Sequence, residues 1–143
     1  MKKYLILSLF MFTAFTGILT AQDLKEKDVP DVVKSALAKK YPDAKKVSWE
    51  KEKGNYEGNW GGKSGEDNSA IFTPSGVFVE IVQAIPLSQL PAGITTYIAN
   101  NYKGAKIKEA GKVTDASGKH MYEVEIKGKD LLFDEKGVFI KED

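Results

Sequence analysis

An α+β fold made of two tandem helix-plus-four-strand repeats is predicted from three features of the sequence. Val29, Pro30, Val33, Leu37, Tyr41 and Ala44 are matched, residue type for residue type, by Leu90, Pro91, Ile94, Ile98, Tyr102 and Ala105, sixty-one positions on (91 less 30). Phe72, Gly76, Val77 and Phe78 are matched at the same distance by Phe133, Gly137, Val138 and Phe139. Each apolar helical stripe is then followed by four short segments of alternating polarity. Apolar, proline and glycine positions fix backbone and core, so their recurrence marks a duplicated packing unit.

The first helix is read from Val29, Val33, Ala36, Leu37 and Tyr41, which fall on one face at 3.6-residue periodicity. Asp28 is placed to cap it, Pro30 suits its first turn, and Tyr41-Pro42 ends it. The second helix repeats the stripe as Leu90, Ile94, Tyr97, Ile98 and Tyr102, with Ser88 or Gln89 near the cap and Gly104 beyond the end. Strands are expected at about 46–53, 55–61, 69–73 and 77–82, and again at about 106–113, 119–127, 129–133 and 138–141. Gly54, the run Gly61-Gly62-Lys63-Ser64-Gly65, Asp115 to Gly118, and Gly128 supply the turns between them. In the turns after Phe72 and Phe133, Gly76 and Gly137 are suited to the positive φ of a hairpin bulge. Residues 22–27 read as a charged lead-in without regular structure.

Met1 to Ala21 reads as a secretory signal peptide, with Lys2 and Lys3 as the basic region, an apolar run from Leu5 to Leu19, and a small-residue cleavage site near Ala21. The run is broken by Ser8, Thr13, Thr16 and Gly17, which argues against a membrane span, and no cysteine follows it for lipid attachment. Removing 21 of the 143 residues leaves 122, which suits a single domain spanning 22–143 with repeats at about 28–83 and 87–143. Each half is close to 60 residues, a length that buries a core only marginally, so the halves are expected to share one. With no cysteine, stability must come from packing and hydrogen bonds. A periplasmic or secreted location follows from the leader.

Without Lys2 and Lys3 the 21 basic residues fall to 19, against 20 acidic ones, and all are lysines. A near-neutral chain with no arginine lacks both the field and the guanidinium forks of a nucleic-acid binder. Catalytic constellations are scarce as well. His120 is the lone histidine, and acid–base catalysis needs a positioned partner, so it reads as a surface strand residue. Gly62-Lys63-Ser64 has Glu57 where a phosphate loop requires glycine, and is read as a turn. Neither an enzyme nor a cofactor is expected. Glu50, Glu57, Glu80, Glu123 and Glu125 recur on strands without the alternating oxygen-ligand spacing of a calcium loop, so a solvated acidic face is the plainer reading.

The helix–Tyr41-Pro42–Val47-x-Trp49 run, the Leu90-Pro91 that opens the second helix, and the paired Phe-x-x-x-Gly-Val-Phe hairpins resemble the PepSY-like family of β-lactamase-inhibitor-like proteins, small exported proteins of Gram-negative bacteria. The resemblance covers nearly all of the mature chain. It implies one antiparallel sheet with both helices packed on one face, and a role in binding or restraining another protein. Lys103 in place of the proline after tyrosine, and the absence of a tryptophan after Ile107, depart from the pattern in the second copy.

Strand alternation then nominates a binding face. With Val47, Trp49, Tyr56, Trp60, Val77, Val79 and Ile81 directed at the helices, Glu57, Ile71, Phe78 and Glu80 point away. In the second copy Tyr122, Val124 and Ile126 face the helices, while Met121, Glu123, Glu125, Leu132 and Phe139 face away. Carboxylates mixed with large apolar groups suit recognition of a protein or peptide. The expectation is therefore a monomeric, exported binding module that engages an unidentified periplasmic protein or peptide through this open face. A small-ligand or metal-ion sensor using the acidic face is the alternative.

Overall fold

The computed structural model describes residues 22–142, so the predicted signal peptide lies outside the described residues. Nine antiparallel strands form one sheet in sequential order: β1 (Gln22–Leu24), β2 (Ser48–Glu52), β3 (Asn55–Trp60), β4 (Asn68–Phe72), β5 (Phe78–Ala84), β6 (Ile107–Asp115), β7 (His120–Ile126), β8 (Lys129–Asp134) and β9 (Phe139–Glu142). Helix α1 (Asp31–Lys40) lies between β1 and β2, and α2 (Ala92–Asn101) between β5 and β6. The eight expected strands are present with ends shifted by a few residues, and the ninth is β1, where a structureless lead-in was expected. Gln22, Asp23 and Leu24 pair with Lys51, Glu50 and Trp49, and Leu24 packs on the core. Three residues are too few for alternation to be recognised.

Neither helix has a side-chain cap. Pro30 and Pro91 occupy the cap positions themselves, each preceded by a single 3-10 turn, Glu26–Asp28 and Leu87–Gln89. Asp28, Ser88 and Gln89 are drawn into those turns and do not cap. Both helices are ten residues long and close on a tyrosine, whose N–H donates to the carbonyl of Leu37 or Ile98 at 2.8 Å.

The register places both helices on one side of the sheet. Ile81, buried beneath α1, pairs with Thr114, and Thr114 shares its face by alternation with Ala110, buried beneath α2. The apolar core is divided, however. Val29, Val33 and Leu37 pack on Trp49, Trp60, Ala70, Phe72 and Ile81, whereas Leu90, Ile94 and Ile98 pack on Ala110, Val124, Ile126, Leu131 and Phe133. The expectation of one shared core is corrected by simple spacing. Strands lie about 4.8 Å apart, so helices centred four strands apart are separated by roughly 19 Å, well beyond the ~8–10 Å of packed helices. The halves are joined instead through the β5–β6 ladder, Glu80 to Ala84 against Asp115 to Gly111.

Gly58 shows how closely α1 approaches. A Cβ there would stand 2.5 Å from the Leu37 side chain and 3.2 Å from the Trp49 ring, so only glycine lets helix and tryptophan close over β3.

Candidate functional site

Two β-bulges reset the predicted face. Ile71 pairs with Glu80 but Phe72 pairs with Phe78, which leaves Val79 as an extra residue; Leu132 pairs with Lys141 but Phe133 pairs with Phe139, which leaves Ile140 extra. One inserted residue inverts alternation before it. Phe78 and Phe139 therefore turn toward the helices, contrary to the sequence expectation. Phe78 lies 5.7 Å from Phe72 and 6.3 Å from Tyr41, with Lys40 of α1 over its ring at 4.2 Å. Phe139 stacks on Tyr97 of α2 at 4.8 Å. Val77, expected against the helices, is 61 % exposed at the hairpin tip.

The other nominated residues lie on the face opposite the helices. Glu57, Ile71 and Glu80 form one cross-strand row, and Glu123 pairs with Leu132 in another. Glu125 pairs with Glu109. Met121 also has this parity, but it is buried in the row Val82–Val113–Met121 and offers little contact surface. Val113 in the same row is fully buried, outside both helix-side clusters.

This face carries a concave trough of about 620 Å³. Its floor is shallow-chained: Ser69, Val82, Ala84 and Gly111 come from the central strands β4, β5 and β6. A Cβ on Gly111 would stand 2.4 Å from a Val82 methyl, so glycine there lets Val82 lie down and keeps the floor low. Glu50 and Glu57 rise on one flank, joined by Glu66 and Asp67 from the β3–β4 loop. Glu109, Glu123, Glu125 and Asp130 rise on the other, and Ile85, Pro86 and Leu87 of the segment leading into α2 form an apolar wall. A smaller hollow of about 240 Å³ adjoins it and shares Glu57, Val82, Glu123 and Asp130.

Glu57 accepts a hydrogen bond from the Ser69 hydroxyl. Burial pushes its carboxyl above the usual range, the Ser69 bond draws it partly back, and the negative charges of Glu52 and Glu50 raise it again. Glu50 is raised by burial and then by Asp23, Glu66 and Glu52. Both shifts have one origin: carboxylates are crowded on a surface that water only partly reaches. Among the described residues that line the trough Lys108 is the single cationic one, and it bridges Glu125 at 3.1 Å. Among the described residues no group of three His, Asp or Glu side chains is arranged to hold a metal ion. His120 shares a 3.0 Å hydrogen bond with the exposed Thr114 hydroxyl.

Glu109, Asp130, Glu66 and Asp67 were missed by sequence reasoning. Glu109 has the same strand parity as Gly111 and was legible in principle. Asp130 has the parity of Leu132 on β8 and was equally legible. Glu66 and Asp67 lie in the β3–β4 loop, and nothing local in the sequence shows that this loop folds over the sheet.

No curated protein matches the chain. Among solved structures, one described as "putative periplasmic proteins" from Bacteroides eggerthii superposes with a TM-score of 0.65 at 22 % identity, covering 80 % of this chain and 88 % of that one. A DUF2874 family protein from Bacteroides uniformis gives 0.64 at 21 % identity, covering 80 % and 88 %. A BLIP-like protein from Bacteroides fragilis gives 0.56 at 18 % identity, covering 80 % and 84 %. At these identities the likeness is one of fold. No helix among the described residues is long and apolar enough to cross a membrane. The family model described as "Putative beta-lactamase-inhibitor-like, PepSY-like" matches residues 19–60 and 63–141, and the chain belongs to that PepSY-like family.

Proposed function

We propose that this protein is an exported, non-enzymatic binding module, assembled from two copies of one helix-and-strand unit, that engages a protein or peptide in the periplasm through the sheet face its helices leave open. The observation that carries this function is the trough of about 620 Å³ on that face, within the size range of ligand-binding clefts, ~300–1,000 Å³. The helix side is filled by its own core, and the open side is where a concave surface with mixed carboxylate and apolar walls is available. The leader-like order of residues 1–21, and the periplasmic descriptions of the similar folds, support the location. The BLIP-like neighbour supports a protein as the ligand by analogy of fold alone.

Site-specific photo-crosslinking in living cells tests this. A photoreactive residue at exposed Glu109, inside the trough, should trap a discrete protein adduct, whereas one at exposed Lys39 on the outer side of α1 should not. Adducts from Lys39 alone, or from neither position, would remove the open face as the binding surface.

A further inference from the structure

The chain as a whole is almost neutral, with 21 basic and 20 acidic residues, yet its charges are sorted by surface. Among the described residues eight carboxylates line the trough; Lys108 on the same lining bridges Glu125, and Lys53 and Lys141 line the adjoining hollow that shares Glu57, Glu123 and Asp130, so carboxylates remain in excess on this face. Four of them, Glu50, Glu57, Glu66 and Asp67, come from the first half, and Glu109, Glu123, Glu125 and Asp130 from the second. Carboxylates thus stand on both flanks of a floor made of Ser69, Val82, Ala84 and Gly111. Negative charge gathered in a concave low-dielectric surface focuses the field and attracts cations. Leu87 adds a second chemistry, since it is 46 % exposed on the wall with Ile85 and Pro86.

Resting on the open face as the binding surface, we propose that the trough takes an extended, lysine- or arginine-bearing segment of a partner protein, with cationic side chains over the carboxylate flanks and apolar side chains against the Ile85–Leu87 wall. A small cation or polyamine would satisfy the charge but leave the apolar wall uncovered. In an extended segment successive side chains point to opposite sides, which supplies both chemistries from one strand of alternating sequence. Burial raises the Glu50 and Glu57 carboxyls first and their negative neighbours raise them further, and a cation seated beside these two relieves that second contribution.

The test uses the mature chain and a labelled synthetic peptide alternating lysine and valine, followed by fluorescence anisotropy and by NMR shifts of backbone amides. Binding should perturb amides of β3 to β7 around the trough and weaken as salt is raised, because exposed charge pairs are screened. Glu57→Gln with Glu109→Gln should weaken it about tenfold, and Glu109→Lys, at an exposed position that leaves the core untouched, should weaken it further. Glu26→Gln with Glu135→Gln, both exposed and outside the trough, should leave it unchanged. Equal binding of the glutamate–valine counterpart, equal affinity of spermidine or calcium alone, or shifts confined to the helix side would overturn the assignment. If the peptide fails while Glu109 still crosslinks a protein, the cationic segment is wrong and the open-face reading stands. If both fail, both fall.

Discussion

Beneath α1 the cross-strand row on the sheet reads Trp49–Gly58–Ala70; beneath α2 the corresponding row reads Ala110–Val124–Leu131. The first places one large ring beside two residues with almost no side chain, and the second spreads similar bulk over three strands. Elsewhere the exchange continues: Ala36 on α1 stands where α2 has Tyr97, and Trp60 on β3 stands where β7 has Ile126. In both halves a pair of phenylalanines, Phe72 with Phe78 and Phe133 with Phe139, sits at 5.7 Å, but the third ring is Tyr41 from the helix end in one and Tyr97 from mid-helix in the other. The two helix-side clusters are filled by different residues, because close packing constrains summed volume and shape, not the identity at each position.

The largest test removes the ring. Trp49→Ala should cost about 3–5 kcal/mol in chemical denaturation, and transplanting the other half's row by adding Gly58→Val and Ala70→Leu should recover most of that loss. Gly58→Val alone should be strongly destabilising, since its side chain meets Leu37 and Trp49. A triple variant no more stable than Trp49→Ala would show that the rows are not equivalent in volume.

Next in size are Phe78→Ser and Phe139→Ser. Each ring is half-buried against its helix, so each replacement should cost about 2–3 kcal/mol. Unchanged stability would return both rings to the open face and cancel the bulges.

Val113→Ala should cost about 2 kcal/mol, and its pattern matters more than its size. Val113 is fully buried on the open-face side of the junction strand β6. Both tryptophans of the chain belong to the first half, so tryptophan fluorescence reports that half while far-ultraviolet circular dichroism reports both. The two transitions should coincide in the parent protein and separate in Val113→Ala. If they separate already in the parent, the β5–β6 ladder does not couple the halves.

The smallest effect lies on the first-half flank of the trough. The Glu57 carboxyl is held above its unfolded value near 4.5 by burial, so its ionised form opposes folding at neutral pH. Its contribution to stability is full below that value and is lost as pH rises through the raised folded pKa. Glu57→Gln should raise the Tm at neutral pH and diminish the gain that the parent shows on acidification toward pH 4.5. A pH response left unchanged by Glu57→Gln would mean that burial does not set the Glu57 shift.

Much of the secondary structure was legible because its causes are local. The stripe Val33–Leu37 and its counterpart Ile94–Ile98 declare helices by period. Gly76 and Gly137 adopt φ of +80° and +82°, in the turns where positive φ was expected, and Lys53-Gly54 and Lys127-Gly128 make two-residue turns with φ positive at both residues. Strand β1 escaped notice because only its pairing with β2, more than twenty residues away, makes it a strand.

What the sequence determined by itself was the two helices, eight of the nine described strands and their order, since period, proline and glycine act over a few residues. Which way Phe78 and Phe139 point was decided by the tertiary structure, because a single extra residue at Val79 or Ile140 inverts the face and is defined only by the partner strand. The same holds for the divided core, which follows from the width of a nine-stranded sheet. The trough too is tertiary: Glu50, Glu57, Glu109 and Glu125 are dispersed in the chain, and it is ladder register that gathers them around the low floor of Ala84 and Gly111.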